Sequence, residues 1–371
     1  MQLRFLALLG MTVASCVSSL HLGIFAALFP PMPQPVERAI LLIQTAFIGD
    51  VILATALLER LHAEHPNTPI DFLVRKGNEG LVKDHPHVRE VLIWDKKKDK
   101  YLGLWRLLLH IRAAHYDQVI TLQRFASTGF LTALSGARER VGFNKNPLSF
   151  AFTRKVPHVI EEGVHEVQRN LALLGADAET PLTRPRLYPT ATDEAAAAHY
   201  TDAKPYIVMA PTSVWFTKQF PKEQWLALLQ ALPPHYTVYL IGGPPDVAAC
   251  EEILLASSRP KMHNLAGKLS LLASAALMRG AVLNYVNDSA PMHLCSAVDA
   301  PTCAIYCSTV PAFGFGPLSP RSWVVELLEP LACRPCGLHG YRQCPLGHFH
   351  CARGIRTTQL LTVLAESEEV K

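Results

Sequence analysis

The 371-residue sequence lacks the usual signs of a nucleic-acid-binding protein: it has no zinc-finger spacing, no RNA-binding aromatic signature and no long basic helix. A net charge of +4 is a mild basic excess, which favours anionic ligands without requiring a nucleic acid. No Gly-x-Gly-x-x-Gly motif follows the first predicted strand, which argues against a dinucleotide-dependent dehydrogenase. We therefore expect anionic partners other than nucleic acid.

Charged residues make up only 18% of the chain, whereas hydrophobic residues make up 49%. This balance is typical of a globular protein and argues against a disordered one. A chain of 371 residues is too long for one typical core and suits two domains.

Short apolar runs alternate with helical patterns along both halves of the chain, which predicts βαβ units and a parallel sheet in each half. The fold class is therefore α/β, with two Rossmann-like domains. We assign residues 36–185 to an N-terminal domain, the Pro-rich residues 186–205 to a linker and residues 206–371 to a C-terminal domain. The predicted strands are 40–44, 70–74, 90–93, 118–122, 140–142, 206–209, 237–242, 281–287 and 302–306.

Residues 1–35 form an apolar N-terminal extension. Residues 3–29 carry Arg4 as their only charge, a pattern typical of a signal peptide or an uncleaved anchor. A third interpretation is a mis-assigned start, because Met32 lies just before the first strand. We favour a mis-assigned start or a weak membrane-surface anchor over secretion, since several of the nine cysteines stand in apolar settings that suit a reducing compartment.

Three segments place polar residues directly after apolar strands. In an open α/β sheet, ligands bind at this carboxyl edge of the strands, which we call the ligand edge. Taken alone, Asp50 is equally well interpreted as a helix N-cap, and Lys218 as a solvated surface lysine. The three groups are Gly49 and Asp50; Thr212, Ser213 and Lys218; and Asp288, Ser289, Ala290 and His293.

Together these segments resemble the ADP-heptose:lipopolysaccharide heptosyltransferases, glycosyltransferase family 9. That family shows a Gly-Asp pair after its first strand, a Lys followed shortly by an aromatic residue and Pro, and a late Asp-(Ser/Thr)-x-x-x-His run. Here the matching residues are Gly49-Asp50, Lys218-Gln-Phe-Pro and Asp288-Ser289 with His293, and the resemblance covers roughly residues 38–355. It implies the GT-B arrangement, in which an N-terminal acceptor-binding domain and a C-terminal nucleotide-sugar-binding domain face each other across a cleft.

The resemblance also implies that Asp50 is the catalytic base for the acceptor hydroxyl. We expect the helix N-terminus to lower its pKa below the ordinary value of about 3.9. A weak base is sufficient, because the anomeric carbon of an oxocarbenium-like transition state is strongly electrophilic before the proton leaves.

The implied donor-binding residues lie in the C-terminal domain. Lys218 would carry the charge for the donor diphosphate, and the backbone amides at the start of a helix would face the same group. Asp246 is either an acceptor for a ribose hydroxyl or a helix N-cap. The full set is Thr212, Ser213, Lys218, Gly242, Gly243, Asp246, Asp288, Ser289, Ala290 and His293.

Basic residues of the N-terminal domain suit an anionic acceptor. Arg75 and Lys76 end the second predicted strand, and Arg124 follows the strand at 118–122, so all three are expected at the ligand edge. The lysine-rich loop at 96–100 is either a solvated charge run or a contact with anionic lipid headgroups.

The end of the chain carries four cysteines with histidines among them, and we call residues 331–354 the cysteine tail. Four thiols in so short a stretch suggest a zinc clamp, although the spacing is not that of a standard zinc ribbon. The resemblance favours a family-specific structural element with no cofactor needed for catalysis, and structural zinc is the alternative. The four residues are Cys333, Cys336, Cys344 and Cys351.

The resemblance therefore implies an inverting glycosyltransferase that moves heptose from ADP-heptose to the inner core of lipopolysaccharide, onto a lipid A-Kdo acceptor or the first core heptose. The alternatives are a family member with another donor or acceptor, and a catalytically inactive binding or scaffold relative. Expected partners are the ADP-sugar, the anionic acceptor and a membrane surface, with no nucleic acid. The expected location is cytoplasmic, peripheral at the cytoplasmic face of the inner membrane.

Overall fold

Two six-stranded sheets carry the fold in this computed structural model, which describes residues 38–98, 100–177, 179–201 and 205–369. The extension predicted at residues 1–35 lies outside the described residues. The strands are β1 (Ile40–Gln44), β2 (Ile70–Arg75), β3 (Glu90–Trp94), β4 (Gln118–Thr121), β5 (Glu139–Phe143), β6 (Arg154–Val156), β7 (Tyr206–Ala210), β8 (Thr237–Leu240), β9 (Met262–Asn264), β10 (Leu283–Asn287), β11 (Thr302–Tyr306) and β12 (Ser322–Glu326).

Helices follow most of the strands and cover the sheets. They are α1 (Ile48–Glu64), α2 (Lys100–Ala113), α3 (Ala126–Leu134), α4 (Glu166–Leu171), α5 (Ala191–Thr201), α6 (Lys222–Ala231), α7 (Val247–Ala256), α8 (Leu271–Arg279), α9 (Ala290–Ala297), α10 (His350–Arg353) and α11 (Thr357–Glu369). Among the described residues, none of these helices is both long and apolar enough to cross a membrane.

Both sheets are parallel and share one topology, with strand orders β3-β2-β1-β4-β5-β6 and β12-β11-β10-β7-β8-β9. The chain starts each sheet in the middle and builds outwards, first to one side and then to the other. The order reverses between β1 and β4 and between β7 and β10, and ligands bind in the crevice at such a switch point. The loops after these four strands therefore form the expected ligand-binding positions.

Continuous apolar runs form the central strands because both faces of a parallel sheet are covered. Every residue of β1 and of β7 is buried. The edge strands β6, β9 and β12 are short or partly exposed, and the sequence pattern did not predict them. The prediction of two α/β sheets is confirmed.

The two sheets define two lobes: an N-lobe with β1–β6 and α1–α4, and a C-lobe with β7–β12 and α5–α11. Helix α5 falls within the segment predicted as a linker, and it packs on α8 of the C-lobe. Asp193 accepts a hydrogen bond from Ser270 at 2.6 Å, and Arg279 pairs with Glu194 at 2.7 Å. The predicted linker therefore contains a helix that is bound to α8 of the C-lobe.

One hydrophobic core runs through both lobes. It joins residues of α1, such as Leu57, to residues of α9, such as Met292. Arg186, on the connection between the lobes, donates its backbone N–H to Thr55 in α1 and pairs through its side chain with Asp299 just after α9. These contacts fix the position of the ligand edge of one sheet relative to the other.

Candidate active site

Asp50 lies in the first turn of α1, directly after the central strand β1. The helix begins at Ile48, and Phe47 is its N-cap. Asp50 therefore occupies the third helical position, and its Oδ2 accepts a hydrogen bond from the Phe47 backbone N–H at 3.1 Å. The alternative interpretation of Asp50 as the N-cap itself is wrong.

Burial raises the pKa of the Asp50 carboxyl, which corrects the expectation of a lowered value. The backbone hydrogen bond from Phe47 and the charges of Arg75 and Arg124 act in the opposite direction, but desolvation of the carboxylate outweighs them. A raised pKa makes the carboxylate a stronger base than a free aspartate, which suits general base catalysis.

Two of the three residues predicted to bind the acceptor substrate influence the pKa of Asp50. The charges of Arg75 and Arg124 both reach its carboxylate, and the Arg75 guanidinium lies 5.1 Å from the centre of the Phe47 ring. Lys76 instead pairs with Asp95 at 3.0 Å and is largely exposed.

Lys96, which the sequence placed in a solvated or lipid-facing loop, turns inward. Its Nζ donates to the Thr45 carbonyl at 2.8 Å, in the loop that leads to Asp50. Burial, helped by the charge of Arg75, lowers the pKa of Lys96 to about 8. This side chain therefore supports the loop that leads to Asp50, and Lys97 and Lys98 remain exposed.

A second carboxylate, Glu166, lies near Asp50. Burial raises the pKa of Glu166, and the negative charge of Asp50 raises it further. Glu166 pairs with the buried Arg169 at 2.8 Å. Sequence reasoning missed both residues. The sequence pattern that could have located this helix start is the capping pattern His165-x-x-Gln168. In the structure, the His165 backbone N–H donates to the Gln168 side chain at 2.8 Å.

Helix α4, which carries Glu166, is bound to the opposite lobe. The Arg169 guanidinium donates to the Phe313 carbonyl at 3.0 Å, and the Glu166 backbone N–H donates to the Gly314 carbonyl at 2.7 Å. His165 Nδ1 accepts from a backbone N–H, so its Nε2 carries the proton and donates to the Gly316 carbonyl at 3.0 Å. The Asp50 region is thus tied directly to the C-lobe.

In the C-lobe, the structure brings Lys218 and Asp288 together from the loops after β7 and β10. The Lys218 Nζ lies 2.7 Å from Asp288 Oδ2, and both side chains are largely buried. Thr309, in the loop after β11, donates its hydroxyl to the same oxygen at 2.6 Å. Residues from the loops after β7, β10 and β11 therefore meet at one oxygen of Asp288, which holds the Lys218 ammonium in place.

Asn287, which the sequence did not single out, fixes the loop between β7 and α6. Its buried side chain accepts from the Phe220 backbone N–H at 3.0 Å and donates to the carbonyls of Pro211 and Thr212 at 3.0 and 3.3 Å. The side-chain amide of Asn287 therefore holds both ends of the loop that carries Thr212, Ser213 and Lys218.

Helix α9 begins directly after Asp288, with Ser289 as its N-cap and Pro291 in its first turn. Pro291 has no backbone N–H, and Met292 donates its own to the Ser289 carbonyl at 3.0 Å, so the N–H groups of Ser289 and Ala290 are the ones at the start of α9 that suit an anion. Asp288 and the start of α9 therefore lie together at the end of β10, as predicted.

His293 points from α9 across to the N-lobe. A Cβ atom placed on Gly49 would lie only 2.8 Å from the His293 ring carbon Cδ2, so the backbone beside Asp50 and this ring are in contact. Burial lowers the pKa of His293 to about 3 and keeps the ring neutral. Because Gly49 and Asp50 are adjacent, this contact brings Asp50 to the same cleft as Asp288.

Gly242, Gly243 and Asp246 form a tight turn after β8. The Asp246 carboxylate accepts from the Gly243 backbone N–H at 2.8 Å, and a Cβ on Gly242 would lie 2.7 Å from the Asp246 Cβ. Asp246 is also the N-cap residue of α7. One oxygen of this carboxylate therefore serves the turn, and Oδ1 remains for a ligand.

The cysteine tail lies against the Lys218 loop, which sequence reasoning did not anticipate. The Tyr341 backbone N–H donates to the Thr217 hydroxyl at 2.7 Å, and the Thr217 N–H donates back to the Tyr341 carbonyl at 3.1 Å. Burial lowers the pKa of His339, and the charges of Lys218 and Arg124 lower it further. Basic residues of both lobes therefore act on the pKa of His339.

The four tail thiols lie near one another, because the charges of Cys333, Cys336 and Cys344 all add to the effect of burial in raising the pKa of Cys351. Within the described ranges, no three His, Cys, Asp or Glu side chains are arranged to hold a metal ion. Cys351 belongs to the C-lobe core and Cys344 packs against it, while the Cys336 backbone N–H donates to the Ser308 carbonyl at 2.9 Å. The zinc interpretation stays a prediction.

Comparison with known families accounts for this arrangement of loops. The model of glycosyltransferase family 9 (heptosyltransferase) matches residues 104–344, more than half of the chain. The chain belongs to glycosyltransferase family 9. It is accordingly a glycosyltransferase, and the resemblance read from its three loop motifs is confirmed.

Curated relatives in this family are similar over most of their length. The chain is 27% identical to lipopolysaccharide heptosyltransferase 3 of Escherichia coli over 278 residues, 71% of this chain and 82% of that protein. It is 27% identical to lipopolysaccharide heptosyltransferase 1 of Pseudomonas aeruginosa over 312 residues, 80% and 85% of the two chains.

A solved structure shows the same GT-B fold. The E. coli ADP-heptose lps heptosyltransferase II superposes with a TM-score of 0.73 at 22% identity, covering 89% of this chain and 99% of that one. The arrangement of two parallel sheets facing each other is therefore that of GT-B family 9 structures.

Proposed function

We propose that this family 9 enzyme transfers heptose from ADP-heptose to the inner core of lipopolysaccharide with inversion at the anomeric carbon. The names of the E. coli and P. aeruginosa relatives support heptose and lipopolysaccharide, and the name of the E. coli heptosyltransferase II structure supports ADP-heptose. The observation that carries the proposal is the contact between Gly49 and His293, because it joins the loop of Asp50 to the helix that begins directly after Asp288.

The C-lobe would hold the donor. Lys218 and the backbone N–H groups of Ser289 and Ala290 at the start of α9 would bind the diphosphate, which gains negative charge as the bond to the sugar breaks. Asp288 would orient the Lys218 ammonium through their 2.7 Å contact. Thr212, Ser213, Gly242, Gly243 and Asp246 would complete the nucleotide-sugar site.

The N-lobe would hold the acceptor. Arg75 and Arg124 lie around Asp50 and would bind the anionic groups of a Kdo or phosphorylated core sugar. Lys76 lies at the same edge but would contribute less, because Asp95 already neutralises it. This assignment makes residues 36–185 the acceptor domain and residues 206–371 the donor domain.

The chemistry would be a single displacement. The acceptor oxygen bonds to the anomeric carbon while the bond from that carbon to the ADP oxygen breaks, and the acceptor proton passes to Asp50. Attack by the acceptor oxygen on the face of the sugar opposite the departing ADP oxygen would invert the configuration. The raised pKa of Asp50 suits this proton transfer.

The test is transfer by the full chain with ADP-heptose and two acceptors, lipid A-Kdo and a core already bearing one heptose, followed by mass spectrometry of the product. Asp50→Asn should abolish transfer and leave donor binding nearly intact, because the base acts on the acceptor. Asp84→Asn, an exposed aspartate of the same lobe, is the matched control. An Asp50→Asn enzyme with normal turnover would refute the role of Asp50.

A second variant tests the donor site. Lys218→Met should weaken both ADP binding and turnover, whereas Lys261→Met, at the opposite end of the C-lobe sheet, should leave both unchanged. Thermal stabilisation by ADP but not by UDP or GDP would support an ADP-sugar. Stabilisation by another nucleotide would favour a different donor, and none at all would favour the binding or scaffold alternative.

A further inference from the structure

The apolar surface of helix α2 extends beyond the side that packs on the N-lobe sheet. On its inner side, Leu108 and Ile111 are buried in the N-lobe core, with Leu104 and Leu107 packed against it. A helix that covers a sheet normally carries polar residues on its outer side. The outer side of α2 departs from this rule.

The outer side carries four large apolar or aromatic residues. Tyr101, Leu102, Trp105 and Leu109 are exposed by 76%, 53%, 52% and 51%. Residues 101, 105 and 109 are spaced by four, so they form one stripe along the helix. A continuous exposed apolar surface of this kind marks a binding face.

The residues around this face carry an excess of positive charge. Residues 95–113 contain six Lys and Arg against two Asp. Of these cations, Lys96 turns inward to the Thr45 carbonyl and Arg112 donates to the Leu134 carbonyl at 2.9 Å. Lys97, Lys98 and Arg106 are exposed beside the apolar stripe. A second copy of the chain placed on this face would bring like charges together, whereas an anionic lipid surface would neutralise them.

The position of α2 links this face to the proposed active site. Strand β3 ends at the ligand edge, and the loop after it runs into the start of α2. In that loop, Lys96 donates to the Thr45 carbonyl at 2.8 Å, so the loop before α2 is bound to the segment that leads to Asp50. A surface bound to this end of α2 would be close to the catalytic carboxylate.

We propose that the exposed face of α2 (Tyr101, Leu102, Trp105 and Leu109, with Lys97, Lys98 and Arg106) docks onto an anionic lipid bilayer. The helix lies in the plane of the bilayer surface, with its aromatic and aliphatic side chains at the headgroup–acyl boundary and its cations on the headgroups. Docking presents a lipid-anchored acceptor to Asp50, and only this last consequence rests on the proposed function.

The experiment is co-sedimentation of the full chain with vesicles, in the absence of any substrate. Vesicles of phosphatidylcholine alone are compared with vesicles that also contain phosphatidylglycerol. The wild type should bind the second kind far better, and the binding should weaken as the salt concentration rises. Trp105→Ser with Leu109→Ser should weaken binding by about tenfold or more, because two apolar side chains no longer enter the bilayer.

Matched variants control for general loss of surface apolarity or charge. Phe150→Ser with Leu255→Ser removes two side chains that are each 77% exposed elsewhere on the molecule, and this variant should bind as the wild type does. Lys97→Gln with Lys98→Gln should weaken binding at low salt, whereas Lys155→Gln with Lys261→Gln should not. Circular dichroism and melting temperature check that every variant is folded.

Three results would overturn the proposal. The first is equal vesicle binding by the wild type and the Trp105→Ser, Leu109→Ser variant. The second is equal loss of binding in the Phe150→Ser, Leu255→Ser control. The third is self-association of the wild type without vesicles that the Trp105→Ser, Leu109→Ser variant abolishes, since a second copy would then cover the face.

Failure of the proposed function can be recognised separately. Vesicle binding through α2 without any heptose transfer would contradict the function and support the docking face. If both hold, the Trp105→Ser, Leu109→Ser variant should transfer normally to a lipid-free acceptor and poorly to one embedded in vesicles.

Discussion

Replacing Gly49 by alanine tests the contact on which the interpretation of the cleft depends. The added Cβ would lie 2.8 Å from His293 Cδ2 and 3.5 Å from His293 Nε2. Two carbon atoms prefer a separation of about 3.5–4.0 Å, so the overlap is about 0.7 Å or more. His293 is buried inside α9 and has little room to withdraw. Overpacking of this kind typically costs about 1–3 kcal/mol of stability.

The preference of a helix for alanine over glycine offsets part of this loss of stability. Alanine is favoured over glycine in a helix by up to about 1 kcal/mol, and less in the first turn, where Gly49 lies. We therefore expect a net loss of about 0.5–2 kcal/mol. The effect on catalysis should be larger, because a displacement of about 1 Å between catalytic groups can cost roughly a hundredfold in rate.

The assay is urea unfolding together with steady-state kinetics. Gly80→Ala is the control, since within the described part of the chain no atom lies within 4 Å of the Cβ that it would add. Gly80→Ala should be neutral or slightly stabilising. In a double-mutant cycle, Gly49→Ala should cost little once His293 is also alanine. Equal stability of Gly49→Ala and Gly80→Ala, with unchanged turnover, would refute the reasoning.

The remaining predictions concern titration, the link between the lobes and the tail. Asp50→Asn should be at least as stable as the wild type at pH 7, because burial raises the pKa of Asp50 and the folded protein loses stability as the pH rises through that value; earlier urea unfolding of the variant would contradict this. Wild-type transfer should fall as the pH drops through the same pKa. The wild type should gain stability relative to Lys96→Met between pH 8 and 10, since folding lowers the pKa of Lys96 to about 8 and the unfolded chain keeps that proton to about 10.4; a constant difference in unfolding free energy would argue against it. Arg169→Met should cost about 3–5 kcal/mol in urea unfolding by leaving the buried Glu166 unpaired, and adding Glu166→Gln should restore much of the loss; a loss below about 1 kcal/mol would show that the pair is not needed. Elemental analysis of the reduced protein should find no stoichiometric metal, since the described residues form no metal-binding group, and one equivalent per chain would revive the zinc interpretation.

The sequence by itself determined the fold class and the loops that matter. Buried apolar runs such as β1 and β7 can only be central strands, because no other parallel-sheet position hides both faces. The residues that follow such strands must lie at the ligand edge, so Asp50, Lys218 and Asp288 could be placed there without a structure. These inferences use only local periodicity and the geometry of parallel sheets.

Other features depend on contacts between distant parts of the chain, and only the tertiary structure decided them. The pKa of Asp50 is raised because the surrounding fold desolvates its carboxylate, whereas local reasoning from the helix terminus gave the opposite sign. The charge of Asp50 raises the pKa of Glu166, and the tail residue Tyr341 donates its backbone N–H to the Thr217 hydroxyl. Both pairs are so far apart in sequence that no local pattern encodes them. Burial and long-range hydrogen bonds are properties of the packed chain, so the site's electrostatics and its support could be known only from the folded molecule.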